Sequence, residues 1–243
     1  MLNLEDINLS FGKTHILKNI NLCLHKGELL CLLGDNGAGK STLFQGLCGL
    51  APFSSGEYCL KKTQVNLARN SLLKMRKLGL ECVFQDKNLC LKQEIYKNFF
   101  ATRHITKLGF LIDKKAEIKV ANSIVREQLG IKSGMDAKDL ALNLSGGERQ
   151  ALALARALHF DNEILLLDEP TSALAQVEAN KVLRFLKEDC QQKGVILVTH
   201  NLAQAYEVGT SFVFLKHGEL SAKFGRKDFA NVQTLYEKFF EFC

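Results

Sequence analysis

Across 243 residues, no uninterrupted apolar stretch approaches the roughly 18 needed to cross a bilayer, so no membrane-spanning helix is expected. The first ten residues, MLNLEDINLS, lack a basic region followed by an apolar signal core, and the chain is expected to stay in the compartment where it is made. No C-x-x-C pair occurs among the eight cysteines (Cys23, Cys31, Cys48, Cys59, Cys82, Cys90, Cys190 and Cys243). Scattered mostly through apolar strand and helix patterns, they read as reduced, buried thiols rather than a disulfide framework or a zinc site. A dense block of lysine and arginine is also missing. The formal charge of +6 would suit nucleic acid or an anionic membrane surface, but it is spread along the chain and decides little alone. There is no internal repeat. With 47% hydrophobic and 24% charged residues, neither disorder nor a fibrous repeat is indicated, and a compact soluble enzyme is the expectation.

Alternating apolar positions in LNLEDINLSF and HILKNINLCL predict an amphipathic N-terminal sheet, and GELLCLL reads as a fully buried strand. A helix is predicted from Lys40 to Leu50, ended by glycine and Pro52, followed by an extended GEYCLKKTQVNL. The strand GLECVF leads to Gln85. Residues 86 to 140 change character, with longer helical periods (KKAEIKVANSIVREQLGI), more lysine and no strong strand pattern; they read as a helical lobe inserted into an α/β core. From Gly146 the core resumes as helix, strand (EILLLD), helix, strand (VILVTH) and a short helix, an alternation that argues for a largely parallel sheet covered on both faces. A hairpin turning at His217-Gly218 and a closing helix, FANVQTLYEKFFEF, complete the pattern.

The stretch GDNGAGKSTL begins directly after a buried strand and opens a helix. Gly34, Gly37, Gly39, Lys40 and Ser41 make G-x-x-x-x-G-K-S, in which glycines let backbone N–H groups wrap a polyphosphate and the helix offers its positive end to the same anion. In this motif Lys40 reaches the β- and γ-phosphates and Ser41 ligates Mg²⁺, with Asn36 and Thr42 as neighbouring nucleotide-binding positions. The second half of the site is EILLLDEP, a buried strand ending in Asp168 and Glu169. Adjacent carboxylates there are costly unless a cation or a reaction uses them. Asp168 is expected to hold Mg²⁺, and Glu169 to polarise an attacking water. Farther along, LSGGERQ places Gly146 and Gly147 at the start of a helix, a second anion-binding N-terminus with Ser145 as a hydroxyl donor.

These motifs, in the order loop lysine, Gln85, LSGGE, LLLDEP and His200, resemble the ATP-binding subunits of ABC transporters over nearly the full chain. The resemblance implies an α/β fold: a P-loop NTPase (ABC-type ATPase) core of mainly parallel sheet, with an N-terminal antiparallel β subdomain and an inserted α-helical subdomain. It implies one ATP-binding domain over 1–243, with a core lobe of 1–85 and 146–243 and a helical subdomain of about 86–145. It further implies two such subunits meeting head to tail, each ATP held between one glycine loop and the other subunit's Ser145, Gly146, Gly147 and Glu148. Phe11 would stack on adenine where the family more often has tyrosine, the alternative being an aromatic in the strand core. Gln85 would sense Mg²⁺ and the attacking water, and His200 would contact the γ-phosphate. Two positions depart from the family pattern. Ala175 stands where aspartate usually links the two sites, and Glu148 where glutamine is commoner.

Several stretches, among them KLGLECVFQDKNLC, GFLIDKKA and GERQALALARAL, are similar to the ATPases of simple-sugar importers of the ribose, xylose or fructose type. That resemblance implies ATP and Mg²⁺ as cofactors and transmembrane permease subunits as partners. It also implies a homodimer or a paired ATP-binding subunit, indirect work with an extracytoplasmic solute-binding protein, and no nucleic acid. The expected location is the cytoplasm, peripheral on the inner face of the cell membrane. No residue here selects a sugar, so importers of nucleosides, amino acids or other solutes stay open. So do a soluble ABC-type ATPase outside transport and a chain that binds ATP but barely hydrolyses it.

Overall fold

The computed structural model describes residues 1–85, 89–101, 103–125, 135–172 and 174–243. Its elements begin with β1 (Leu2–Phe11), β2 (Thr14–Leu24), β3 (Leu29–Gly34), α1 (Lys40–Leu47), β4 (Ser55–Leu60), β5 (Thr63–Gln64), α2 (Leu72–Lys77) and β6 (Leu80–Val83). They continue with α3 (Ile95–Phe99), β7 (Thr106–Lys107), β8 (Leu111–Ile112), α4 (Lys114–Ser123) and α5 (Gly146–His159). The remainder is β9 (Ile164–Asp168), α6 (Gln176–Asp189), β10 (Gly194–Val198), α7 (Leu202–Val208), β11 (Ser211–Lys216), β12 (Glu219–Leu220), β13 (Phe224–Gly225) and α8 (Val232–Phe242). Two compact units result. The first comprises 1–82, 161–169 and 180–243; the second comprises 83–160 and 170–179.

Strands β3, β9 and β10 of the first unit are buried at every position, as continuous apolar runs demand when both faces of a sheet are covered. They lie in a seven-stranded sheet of order β12-β11-β3-β10-β9-β6, with β13 paired to β11. The β11–β3, β3–β10 and β10–β9 ladders are parallel, and β12 and β13 run antiparallel to β11. A second sheet, β2-β1-β4-β5, is antiparallel and alternates buried and exposed residues, as the period-two pattern in β1 and β2 predicts. The His217-Gly218 turn has both residues at positive φ, 48° and 81°, and joins β11 to β12 in the register Leu215↔Leu220. On β11, Phe214 meets Phe239 and Phe242 of α8 at ring separations of 5.7 and 6.1 Å, which seats the closing helix.

The second unit has its own core, where Ile95, Tyr96, Phe99 and Phe100 pack with Ala121, Ile124, Leu144, Leu152 and Ala155. Leu152 and Ala155 place α5 in this unit, whereas the expected helical subdomain stopped at about 145.

Other differences from the sequence pattern are local. Helix α1 stops at Leu47 instead of Leu50, because Gly49 takes φ +74° and breaks the α conformation before Pro52 is reached. Helix α2 was not foreseen; it is short and basic, and it begins at a Ser71 cap whose hydroxyl accepts from the Lys74 backbone. A small ribbon, β7–β8, interrupts the helical lobe. The helix expected to reach residue 131 is seen from 114, and its continuation past 125 lies outside the described residues. All eight cysteines are free, but Cys90 is exposed and Cys23, Cys59 and Cys243 are half-buried, so only Cys31, Cys48, Cys82 and Cys190 fit the buried pattern.

Candidate functional site

β3 delivers the chain into the glycine loop at the end of the central sheet. Gly39 turns it into α1 at φ +110°, a conformation that a side chain resists, and its position is also crowded by Leu17. Among the described residues no side chain caps α1, and no acidic residue lies in its first turn, which suits that helix end to an anion. Asn36 and Ser41 are exposed and Thr42 is half-buried, which leaves the loop's rim open to a ligand.

The loop is braced from outside by a contact that sequence reasoning did not find. The Gly218 N–H donates to the Ala38 carbonyl at 3.1 Å, and the Gly218 carbonyl accepts from the Lys18 N–H at 2.8 Å. A Cβ at Gly218 would overlap the Ile16 carbonyl oxygen, so the hairpin turn can lie against the loop only as glycine.

Lys40 is buried. Its ammonium donates to the carbonyls of Gly34 at 2.6 Å and Asp35 at 2.9 Å. Burial lowers its pKa, and the charges of Glu169, Asp168 and Asp35 pull it back up. At the exit of β9, Asp168 and Glu169 are both buried. Desolvation first, and the Glu169 charge second, push the Asp168 carboxyl up to about 6 against the pull of Lys40. A carboxylate at the end of a buried strand is an oxygen donor of the kind a divalent metal takes, and a bound cation would favour its ionised form. The open α1 terminus and the Lys40 cation likewise match a polyphosphate.

Glu169 has φ +48°, a left-handed conformation in a non-glycine residue immediately before Pro170. Its carboxylate is held from the neighbouring strand. Glu169 Oε1 accepts from the His200 backbone N–H at 2.9 Å and lies 2.6 Å from His200 Nδ1, while Oε2 accepts from the Thr199 hydroxyl at 3.4 Å. β10 runs parallel beside β9 with Val198 opposite Asp168, so Thr199 and His200 emerge next to the two acids. Thr199 was not singled out from sequence. The only signal for it was a hydroxyl immediately before His200 in VILVTH.

The structure therefore brings together Lys40, Asp168, Glu169 and His200 in the first unit. Phe11, at the end of β1, is 53% exposed and does not belong to the strand core. Gln85 and the 145–148 motif belong to the second unit. Gln85 is exposed two residues past β6. Ser145 caps α5: its hydroxyl accepts from the Glu148 N–H at 3.3 Å, and the Glu148 carboxylate accepts from the Ser145 N–H at 2.7 Å. In this reciprocal box the negative charge of Glu148 sits at the end of α5 where an anion was expected. Ala175 is exposed, with its N–H donating to Glu178.

A strand–glycine loop–helix facing a pair of buried strand-end acids defines the phosphate-binding class of α/β proteins. Comparison with known proteins narrows it: the ABC transporter profile matches residues 17–172. A xylose/arabinose import ATP-binding protein from Sulfolobus acidocaldarius is 37% identical over 239 residues, 98% of this chain and 92% of that protein. A fructose import ATP-binding protein from Rhizobium meliloti is 30% identical, covering 90% and 86%. A ribose import ATP-binding protein from Caldanaerobacter subterraneus is 32% identical, but this chain spans only 43% of it. A dimeric bacterial ABC transporter cassette superposes with a TM-score of 0.80 at 27% identity, over 94% of this chain and all of the other. A dimeric cassette in a post-hydrolysis state with ADP and Pi gives 0.79 at 25%, with the same coverage. The chain belongs to the ABC transporter family, as one of its ATP-binding cassettes. Among the described residues, no helix is long and apolar enough to cross a membrane.

Proposed function

We propose that this chain hydrolyses ATP to power import of a simple sugar, working as one of two cassettes docked on a permease at the inner face of the membrane. The observation that carries the hydrolytic reading is the cluster of Lys40, Asp168, Glu169 and His200 at the end of one parallel sheet. The sugar reading rests on the likeness of this chain to xylose/arabinose, ribose and fructose import ATP-binding proteins.

In this reading the loop from Gly34 to Gly39 and the first turn of α1 bind the phosphates. Lys40 exchanges its contacts with the loop carbonyls for phosphate oxygens, and Ser41 and Asp168 would hold the metal, with Gln85 in the metal-sensing role that the family resemblance implies. When bound there, Mg²⁺ would supply neutralisation of phosphate charge. Glu169 orients the attacking water and takes its proton, with its carboxylate aimed by Thr199 and the His200 backbone. The His200 ring leaves Glu169 to meet the γ-phosphate, while Phe11 covers the adenine. Ser145, Gly146 and Gly147 of one subunit complete the site of the other, so closure of the pair follows ATP binding. That closure moves the permease only by as much as ATP favours the closed state. An extracytoplasmic binding protein and the permease select the solute.

The test is Glu169→Gln. The expected result is MgATP binding retained and turnover reduced at least a hundredfold, in line with loss of a positioned base. Recovery of that variant from gently solubilised membranes should bring a polytopic permease with it. Brisk hydrolysis by the variant overturns the base assignment, and recovery with ribosomes or a soluble assembly instead overturns the transport reading.

A further inference from the structure

The β7–β8 ribbon of the second unit departs from the way proteins normally bury apolar side chains. Thr106 pairs with Ile112 and Lys107 with Leu111, and the turn between them has Leu108 at φ 51° and Gly109 at φ 79°. Five consecutive nonpolar residues follow Lys107, and their large side chains face water: Leu108 is 83% exposed, Phe110 74%, and Leu111 and Ile112 53% each. Leu111 and Ile112 are successive strand residues and point to opposite faces, so the ribbon is apolar on both sides. A two-stranded ribbon is marginal by itself, and an exposed apolar run of this length marks a surface that meets something.

Its base is firmly tied. The Asp113 N–H donates to the Ile105 carbonyl at 2.7 Å, Ile105 packs on the core of the unit, and Asp113 caps α4 by accepting from the Ala116 N–H at 3.1 Å. Beside that base, α4 opens with Lys114 and Lys115, both exposed, and Lys119 is exposed farther along the helix. Two cations at the positive end of a helix act against its dipole, a cost that Asp113 at the cap and Glu117 in the first turn offset in part. Lys107, at the foot of the ribbon, is shared with Asp113 at 3.1 Å.

We propose that the 106–112 ribbon and the first turn of α4 form a membrane-contact prong, distinct from permease docking. Leu108, Phe110, Leu111 and Ile112 enter the headgroup–acyl boundary of a bilayer, and Lys114 and Lys115 take up anionic phospholipid headgroups. Shape and charge both select this occupant. The feature is a convex tip, and at strand rise it stands about 10 Å above its base, comparable to the depth that interfacial apolar groups occupy. The apolar tip and cationic base follow the same order as the acyl and headgroup layers. A second copy of the chain is disfavoured, because a symmetric contact would bring Lys114 and Lys115 against their own equivalents.

The chain contains no tryptophan, so Phe110→Trp puts a single fluorescent reporter at the tip. With vesicles of phosphatidylcholine and phosphatidylglycerol, its emission should shift to the blue and the protein should co-sediment. With phosphatidylcholine alone, or at high salt, both effects should largely vanish. Lys114→Glu with Lys115→Glu should weaken vesicle binding by about tenfold or more. Leu108→Ser with Phe110→Ser should do likewise, with the thermal unfolding midpoint and ATPase rate unchanged. No emission shift and no co-sedimentation with the anionic vesicles would overturn the proposal. So would sedimentation that ignores both double variants, or Phe110-dependent binding to purified permease with none to vesicles.

Discussion

Glu148→Gln pulls two consequences of one carboxylate in opposite directions. In the α5 capping box, Glu148 accepts from the Ser145 N–H at 2.7 Å. Glutamine keeps an oxygen for that bond, so the cap survives while the charge is lost. A negative charge at a helix N-terminus is worth about 0.3–1 kcal/mol, and its loss should lower the unfolding midpoint of the nucleotide-free protein by about 1–4 °C. If the same helix end receives the γ-phosphate held by the opposing subunit, the effect on assembly is reversed. A unit charge about 6 Å from the carboxylate is repelled by roughly 0.7–3 kcal/mol for effective dielectric constants between water and a protein surface. A homodimer holds two such contacts, so ATP-dependent dimerisation should strengthen by about tenfold to ten-thousandfold. The assay is equilibrium sedimentation with MgATP in a Glu169→Gln background, to prevent turnover, alongside calorimetry without nucleotide. A small fall in midpoint together with unchanged or weaker dimerisation would refute the reasoning, since the cap would be intact and the phosphate indifferent to the charge.

Thr199→Val should lower kcat about tenfold with little change in KM for ATP, and Thr199→Ser should restore it, because the hydroxyl to Glu169 Oε2 is the feature at stake; equal activity of all three forms would remove Thr199 from the mechanism. Gly218→Ala should cost about 2–4 kcal/mol in denaturant unfolding and raise KM for ATP, as the new methyl collides with Ile16 and the brace on Ala38 loosens. Asp168 has its folded pKa raised from 3.8 to about 6, so the folded state binds its proton more tightly. The stability this group contributes is present at acid pH and is lost as pH rises from about 4 through about 6, by about 2–3 kcal/mol. Asp168→Asn should accordingly raise nucleotide-free stability at pH 7 but not near pH 4, as followed by urea titration.

The parts of this molecule legible in its sequence are those set by local chemistry. The glycine loop and the acids after EILLL each state their geometry within ten residues, whereas LSGGE reads as an anion-binding helix start and does not announce the Ser145–Glu148 capping box. The His217-Gly218 turn states its geometry through its demand for two positive φ values. Strand order is different: nothing in the apolar run of β3 says that β10 and β11 will flank it, because any buried strand would satisfy the same pattern. Helix α2 was missed since LLKMRK spans too few turns for a period to show. The β7–β8 ribbon was missed because two-residue strands carry no alternation at all. Thr199 became visible only once β10 was known to lie beside β9. The assignments of Phe11 and Gln85 came from family likeness, and their side chains alone would not have suggested them.

The place of β3 in its sheet also governs when the nucleotide site can exist. β3 covers residues 29–34, yet both strands that hydrogen-bond to it come from beyond residue 193: β10 on one edge and β11 on the other. During synthesis the glycine loop leaves the ribosome early and waits for more than half the chain before its supporting strand has a partner on either side. Pairings so distant in sequence close slowly, and an unpaired apolar strand is open to wrong partners meanwhile. A nascent chain halted before β10 should thus bind no ATP and should be a client for chaperones, and nucleotide binding should switch on late, as the final sheet strands arrive.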